Sequence, residues 1–208
     1  ATKTTAVKPA DAQKYLELFK DYRNNGLVPP ADIAAGYAET NADTSMVIAG
    51  KAAIGFIWTN QLAGYQAATT DELCLMEFPG AAATKALWQA PSQFYTVNKN
   101  SKYPEAAVKF INFLVNSPEA AKVLGNDRGA SASATARAAG AADINDRKVL
   151  EYLDVAGPHS SKETDHVPND TEFNSTLFLI YQKVAFGQIS TAAGGQQIYD
   201  LIVRLIKK

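Results

Sequence analysis

The stretch GKAAIGFIWTNQ, residues 50–61, decides the fold of this chain. It opens with a Gly-Lys turn, continues as an apolar run from Ala52 to Ile57 and ends abruptly in an aromatic and polar side chains. An apolar run without alternating polar residues is typical of a buried strand, and Gly55 leaves room for a close neighbour. A short helix from Asp43 to Ala49, capped by Asp43, is predicted to lead into the turn.

The end of this run predicts a platform for a polar ligand that has apolar faces. Trp58 is followed closely by Asn60 and Gln61, so an indole and two amides stand at the mouth of the predicted strand. Aromatic faces pack on the C–H faces of a sugar ring, while amides can bind its hydroxyl groups. Two alternatives stay open: Trp58 can be a lid on the core, as most Trp residues are largely buried, and either amide can cap the next helix.

Composition bounds the class of protein. The chain has 208 residues, of which 47% are hydrophobic and 20% are charged, as in a soluble protein with one large domain or two small lobes. A formal net charge of −1 provides no basic field for nucleic acid, so no nucleic-acid partner is predicted. The sequence has no run of 18 apolar residues, which predicts no membrane span. Cys74 is the sole cysteine, which excludes an internal disulfide and a Cys-rich zinc site.

The apolar pattern along the chain predicts an α/β protein. Strands are predicted at 52–57, 73–78 and 94–97, with Cys74 inert in the second and Tyr95 in the core. Helices are predicted at 9–25, 61–70, 104–116, 117–125, 146–155, 170–186 and 191–207. Residues 126–142 are predicted to be a connection with few core anchors. The glycines at 194 and 195 should weaken the last helix. Three strands make a thin sheet for this many helices, which indicates that part of the fold lies outside this chain.

Four motifs in order resemble a known family. They are the 15–29 segment, the Gly50–Ala53 turn, the run APSQFYTVNKNSKYPEAAVKFINFL at 90–114, and Ser117–Ala120 followed by Gly125–Gly129. Together they resemble the family 1 extracellular solute-binding proteins of bacterial ABC importers, which are mostly sugar binders. The chain departs from the family at Gly129-Ala130-Ser131, where the family has a Gly-x-Pro turn.

The resemblance implies a two-lobed clamp that closes on a carbohydrate ligand and passes it to the membrane subunits of an ABC permease. It assigns residues 1–91 and 132–208 to the C-terminal lobe and residues 92–131 to the N-terminal lobe. It also implies a missing N-terminal segment as a partner, no cofactor, and a periplasmic or extracellular protein tethered to the surface as a lipoprotein.

The resemblance also suggests ligand contacts. Trp58 matches a family position whose residue often stacks on a sugar ring. Ser92 and Gln93 lie at a predicted hinge crossing, and Trp88, just before this crossing, can be a second stacking platform. Arg128 lies at the return crossing, where it can bind ligand or pair with Asp127. Glu172 and Asn174 open a helix that often faces the cleft, or simply cap it. The candidate contacts are Trp58, Asn60, Gln61, Trp88, Ser92, Gln93, Arg128, Glu172 and Asn174.

Three other interpretations are weighed against this one. His159 and His166, with Glu163 and Asp165, invite a metal, but they lack the spacing of strong sites, so no metal is predicted. A glycan-acting enzyme would need Glu172 and another acid at a defined separation, and no motif places the second acid. A ligand-free interaction module would be completed by a partner chain.

Overall fold

The computed structural model describes residues 4–37, 41–85, 87–91, 93–162 and 167–207, and these are mainly helical. The helices are α1 (Pro9–Asn24), α2 (Ala31–Ala35), α3 (Leu62–Ala67), α4 (Ala81–Thr84), α5 (Pro104–Asn116), α6 (Pro118–Leu124), α7 (Ala134–Gly140), α8 (Ile144–Ala156), α9 (Asp170–Ala185) and α10 (Thr191–Lys207). Short 3₁₀ turns lie at Ala42–Thr44, Thr59–Gln61 and Gly157–His159. Strands β1 (Trp88–Gln89) and β2 (Ser161–Lys162) pair in parallel.

The chain divides into two compact units. The terminal unit is drawn from Ala1–Thr40, Thr44–Gly55 and Thr164–Lys208, and the central unit from Asn41–Asp43 and Phe56–Glu163. The central unit therefore holds residues 92–131 together with the segments on both sides of them. These boundaries differ from the lobe assignment drawn from the sequence, which refers to a longer two-lobed protein and stays a prediction.

The terminal unit is built on three helices. α1 packs along α10, and α10 packs along α9. The amphipathic spacing of α10 places Ile198, Ile202 and Leu205 in the buried interior, as predicted from the sequence, and its bounds match the prediction. The buried core that joins the three helices consists of Ala12, Leu16, Ile180, Val184, Ile198 and Ile202.

Two glycines let α10 approach α1 closely. A Cβ on Gly195 would lie 2.7 Å from the Pro9 carbonyl oxygen and 2.8 Å from the Gln13 amide nitrogen. A Cβ on Gly194 would lie 2.7 Å from both Leu16 Cδ1 and Val184 Cγ2. The low helix propensity of the pair is thus accompanied by close backbone packing, which only glycine permits here.

The central unit packs its helices through small side chains. Leu62, Tyr65 and Val149 are its large buried hydrophobic residues among those described, and its other buried hydrophobic residues are alanines. Ser117 accepts hydrogen bonds from the N–H groups of Glu119 and Ala120, so it caps α6 as predicted. Small side chains allow the short helices α6 and α7 to lie close together.

The three predicted strands are wrong as strands. Among the described residues, only β1 and β2 form a ladder, and residues 52–57, 73–78 and 94–97 have none. Ile54 and Phe56, predicted to be buried, are 71% and 76% exposed. An apolar run becomes a strand only when a neighbouring segment pairs with its backbone, and no described segment does so here.

The lack of a pairing segment among the described residues also explains why two predictions of burial, for Cys74 and Tyr95, are wrong. Cys74, expected to be inert inside a buried strand, is exposed. Tyr95, expected in the core, is 39% exposed. Burial of both residues depends on a sheet partner, which local sequence patterns do not supply.

Two helix predictions also need correction. Residues 43–49 were expected to form one helix capped by Asp43. They instead form the 3₁₀ turn Ala42–Thr44 and a set of turns in which Ser45 Oγ accepts the Val47 N–H at 3.2 Å. The predicted connection 126–142 contains α7, with Ser133 as its cap and Ala136 fully buried. An alanine-rich stretch forms a helix readily once it is capped, and alanine can be a core anchor where helices lie close together.

Helix α8 begins at a strong cap, which supports a first prediction. Asp143 Oδ1 accepts the N–H groups of Asn145 at 2.7 Å and Asp146 at 2.8 Å. We expect Asp143→Ala to lower the free energy of unfolding by about 1 kcal/mol, because two N–H groups lose their acceptor. Urea unfolding measures the loss. Asp154→Ala, in the last turn of the same helix, is the matched control and should be neutral or slightly stabilising; equal losses would contradict the capping role.

In the part of the chain that the structure describes, no helix has the length and apolar character needed to cross a bilayer.

Candidate functional site

The two tryptophans of the chain meet in the central unit. The ring centroids of Trp58 and Trp88 lie 5.3 Å apart with planes inclined at 78°, an edge-to-face contact. Trp58 remains 57% exposed and Trp88 42% exposed. More than half of the Trp58 surface is therefore open to solvent in this chain. A ligand contact by Trp58 stays a prediction, and so does the alternative in which Trp58 closes a core.

Strand pairing and a tight turn hold these indoles in place. Trp88 is in β1 and lies opposite Ser161 of β2. The backbone N–H of Trp58 donates to Gln61 Oε1 at 2.8 Å, which closes the 3₁₀ turn Thr59–Gln61. The side-chain oxygen of Gln61 thus orients the backbone at Trp58 within this turn and makes no capping bond to α3, the next helix.

The amide of Asn60 links this turn to a second turn of the central unit. Asn60 Nδ2 donates to the Asp127 carbonyl oxygen at 3.2 Å. In the next residue, Arg128 Nη1 donates to Gln93 Oε1 at 3.3 Å. Four predicted contacts from three separate segments, Asn60, Gln61, Gln93 and Arg128, are thus tied to the Trp58 turn or to the Asp127–Arg128 turn. The exposed guanidinium retains further N–H donors beyond the bond to Gln93.

Glu172 and Asn174 lie in the terminal unit, at the start of α9. Glu172 accepts hydrogen bonds from Arg204 of α10 and from Asn169 Nδ2, the latter at 2.6 Å. Asn174 Nδ2 donates to Asp170 Oδ1 at 2.9 Å, one helical turn earlier. Both side chains therefore have structural partners, which fits the capping alternative, and a ligand contact from either stays a prediction.

One predicted contact, Ser92, lies outside the described residues. So do His166, Glu163 and Asp165 of the metal alternative.

His159 Nδ1 lies 3.2 Å from Glu77 Oε1, in the central unit. Burial raises the pKa of the neighbouring Tyr152 phenol, and the Glu77 carboxylate raises it further. Within the described ranges, no group of three or more His, Cys, Asp or Glu side chains is placed to hold a metal.

A buried polar pair next to the Asp127–Arg128 turn was not predicted from the sequence. Asn126 and Asp146 are both more than nine-tenths buried and bond to each other. The only local signal was a polar residue at each position, and polar residues are common at helix starts and turns.

Comparison with known proteins decides the family. The family model described as "Bacterial extracellular solute-binding protein" matches residues 1–150 of the 208. This chain belongs to that family. The resemblance drawn from the four motifs is therefore confirmed. Members of this family are extracellular proteins that bind solutes.

Solved structures confirm the fold class. A family 1 extracellular solute-binding protein from Alicyclobacillus acidocaldarius is 25% identical, with a TM-score of 0.76, over 97% of this chain and 52% of its own. A periplasmic oligogalacturonide-binding protein from Yersinia enterocolitica, in complex with saturated digalacturonic acid, is 22% identical, with a TM-score of 0.77, over 99% of this chain and 53% of its own. A de novo designed cysteine esterase is 24% identical, with a TM-score of 0.67, over 99% and 53%.

These matches establish an α/β fold of the periplasmic-binding-protein type, as predicted. This chain spans about half the length of the solved structures that it matches. The esterase is a design, so its activity says little about a natural member of the family.

Proposed function

We propose that this chain is part of the substrate-binding component of an ABC importer, which binds a sugar or oligosaccharide and delivers it to the permease. The observation that carries the proposal is the exposed Trp58–Trp88 pair, with centroids 5.3 Å apart. Two indoles that are 57% and 42% exposed offer apolar surface that a ligand can cover, and sugar C–H faces suit this surface well.

The polar residues of the Trp58 turn and of the Asp127–Arg128 turn can supply the hydrogen-bond donors and acceptors that sugar hydroxyl groups require. A free asparagine side chain has two donors and an acceptor, and the bond from Asn60 to Asp127 uses one of these donors. Gln93 retains its two amide donors, because its oxygen accepts from Arg128. Arg128 can bind a hydroxyl or a carboxylate with its remaining donors. Stacking on the indoles with hydrogen bonds from the edges is a combination that supports saccharide binding.

Under this proposal no bond in the ligand is made or broken. The ligand favours the closed clamp by binding it more tightly than the open one. The glycan-acting alternative would use Glu172 as an acid, but Glu172 is already bonded to Arg204 and Asn169. This engagement favours a structural role for Glu172 over a catalytic one.

The proposal includes a further polypeptide segment as a partner. The matched structures are about twice as long as this chain, which covers 52% and 53% of two of them. The apolar segments without a ladder carry exposed side chains, with Phe56 at 76% and Phe94 at 78%. We infer that strands from an N-terminal segment of the same protein pair with these segments in the complete clamp. The interaction-module alternative would have the same pairing but no ligand in the cleft.

The proposal places the protein in the periplasm or outside the cell, tethered to the surface by a lipid anchor. Calorimetric titration of the full-length protein with neutral and acidic disaccharides, including maltose, galactobiose and digalacturonate, tests the function. We expect saturable binding of at least one saccharide, which is recovered intact. Binding confined to amino acids or peptides, or cleavage of the saccharide, would contradict the proposal.

A further inference from the structure

The Gly125–Gly129 turn, which carries Asp127 and Arg128, rests on a buried polar pair. Asn126 is 6% exposed and Asp146, in the first turn of α8, is 8% exposed. The Asn126 backbone N–H donates to Asp146 Oδ1 at 2.9 Å, and Asn126 Nδ2 donates to the Asp146 carbonyl oxygen at 3.1 Å. Burial of a carboxylate and an amide is unfavourable unless both are hydrogen-bonded, so these two bonds, both donated by Asn126, fix the position of residue 126.

Gly125 is fitted to the same carboxylate. Its backbone has a φ of +52°, and a Cβ placed there would lie 2.9 Å from each carboxylate oxygen of Asp146. The Asp146 carboxylate thus occupies the space that a side chain at residue 125 would need. The turn then closes through the Gly129 N–H, which donates to the Asn126 carbonyl oxygen at 2.8 Å. Backbone conformation, steric fit and hydrogen bonds all fix this turn against the start of α8.

The exposed side of the turn meets the candidate site. The Asp127 carbonyl oxygen accepts from Asn60, two residues after Trp58, and Arg128 donates to Gln93. A shift of residue 126 would therefore move one acceptor and one cation that contact two other segments of the site.

We propose that Asp146 and Asn126 are positioning residues, which hold Arg128 and the Asp127 carbonyl where the saccharide needs them. The inference rests on the proposed function. Its physical basis is preorganisation: a turn that is already fixed does not have to be ordered when the ligand binds. Neither residue touches the ligand, and both act through the turn.

The first test needs no ligand. Amide hydrogen exchange is measured across residues 125–129 in the unliganded full-length protein. Asp146→Ala should increase exchange in this turn by about tenfold or more, because the acceptor that fixes Asn126 is lost. Asp146→Asn should restore slow exchange, because an amide oxygen can accept the same N–H. Unchanged exchange in Asp146→Ala would overturn the proposal whatever the protein binds.

The second test measures affinity for whichever of digalacturonate and galactobiose the unchanged protein binds. Asp146→Ala should weaken binding about tenfold, and Asp146→Asn should restore most of it. Ser133→Ala is the control, since it weakens α7 of the same unit through a cap that Asp146 does not share. It should leave affinity unchanged; an equal loss of affinity in Ser133→Ala would show a merely structural effect.

A double-mutant cycle separates positioning from general damage. In an Arg128→Ala background, Asp146→Ala should have much less effect on affinity, because the group that it positions is already gone. Additive losses would contradict action through Arg128. Asn126→Ala keeps its backbone N–H and serves if Asp146→Ala does not fold; about threefold weaker binding is expected. Absence of binding by the unchanged protein would count against the proposed function, while the exchange test would still decide the positioning role.

Discussion

Gly195→Ala is expected to lower the free energy of unfolding of the terminal unit by about 3 kcal/mol, the upper part of the usual range for overpacking. The added Cβ would lie 2.7 Å from the Pro9 carbonyl oxygen and 2.8 Å from the Gln13 amide nitrogen. Both are backbone atoms of the α1 region and cannot rotate away, so the two helices would have to separate. Alanine in an unconstrained helix would instead stabilise by about 1 kcal/mol, so the sign of the change is diagnostic.

Urea unfolding of the unchanged chain and of matched variants measures this effect. Gly64→Ala, inside α3, is the control, because nothing lies within 4 Å of its added Cβ. It should be neutral or stabilising. Gly194→Ala should cost less than Gly195→Ala, since its Cβ meets the side-chain ends of Leu16 and Val184. Gain of stability in Gly195→Ala would show that α1 and α10 do not pack this closely.

Trp58→Ala is expected to weaken saccharide binding by the full-length protein about tenfold or more. Loss of an aromatic stacking contact costs roughly 1 kcal/mol beyond the area that it buries, and 1.4 kcal/mol corresponds to tenfold in affinity. The substitution also removes the edge-to-face partner of Trp88, whose indole would then be less well held. Calorimetric titration with the saccharide that binds best measures the change.

Tyr103→Ala provides a control for general loss of exposed aromatic surface. Tyr103 is in the same central unit, is 75% exposed and lies outside the predicted contacts. It should leave affinity unchanged. Equal effects of the two substitutions on affinity, or no effect of Trp58→Ala, would show that Trp58 does not contact the ligand.

Local sequence patterns predicted the elements whose cause is local. The bounds of α10 follow from its amphipathic spacing, and those of α6 follow from Ser117 and Gly125. The motifs around residues 50–53 and 90–125 are enough to indicate the family from the sequence alone. They also indicated Trp58 and Trp88 as candidate ligand contacts, and the two rings contact each other in the structure.

Predictions failed where the cause is a distant segment. The run 52–57 has the composition of a buried strand, but a ladder needs a pairing neighbour, and composition does not reveal whether one is present. Gly194 and Gly195 appeared in the sequence only as weak helix formers, because the closeness of α1 is a tertiary property. The bond between Asn126 and Asp146 joins residues 20 positions apart, and no spacing rule links such a pair.

The most direct test of the central claim uses the indoles themselves. Trp58 and Trp88 are the two tryptophans of this chain. Tryptophan fluorescence of the full-length protein is followed during titration with the bound saccharide, with the Trp58→Phe and Trp88→Phe variants to assign the signal. The account predicts a saturable change at the calorimetric affinity that is largely lost when both indoles are replaced, with the sugar recovered unaltered. A fluorescence signal from Trp58 and Trp88 that stays constant while the sugar binds would contradict it.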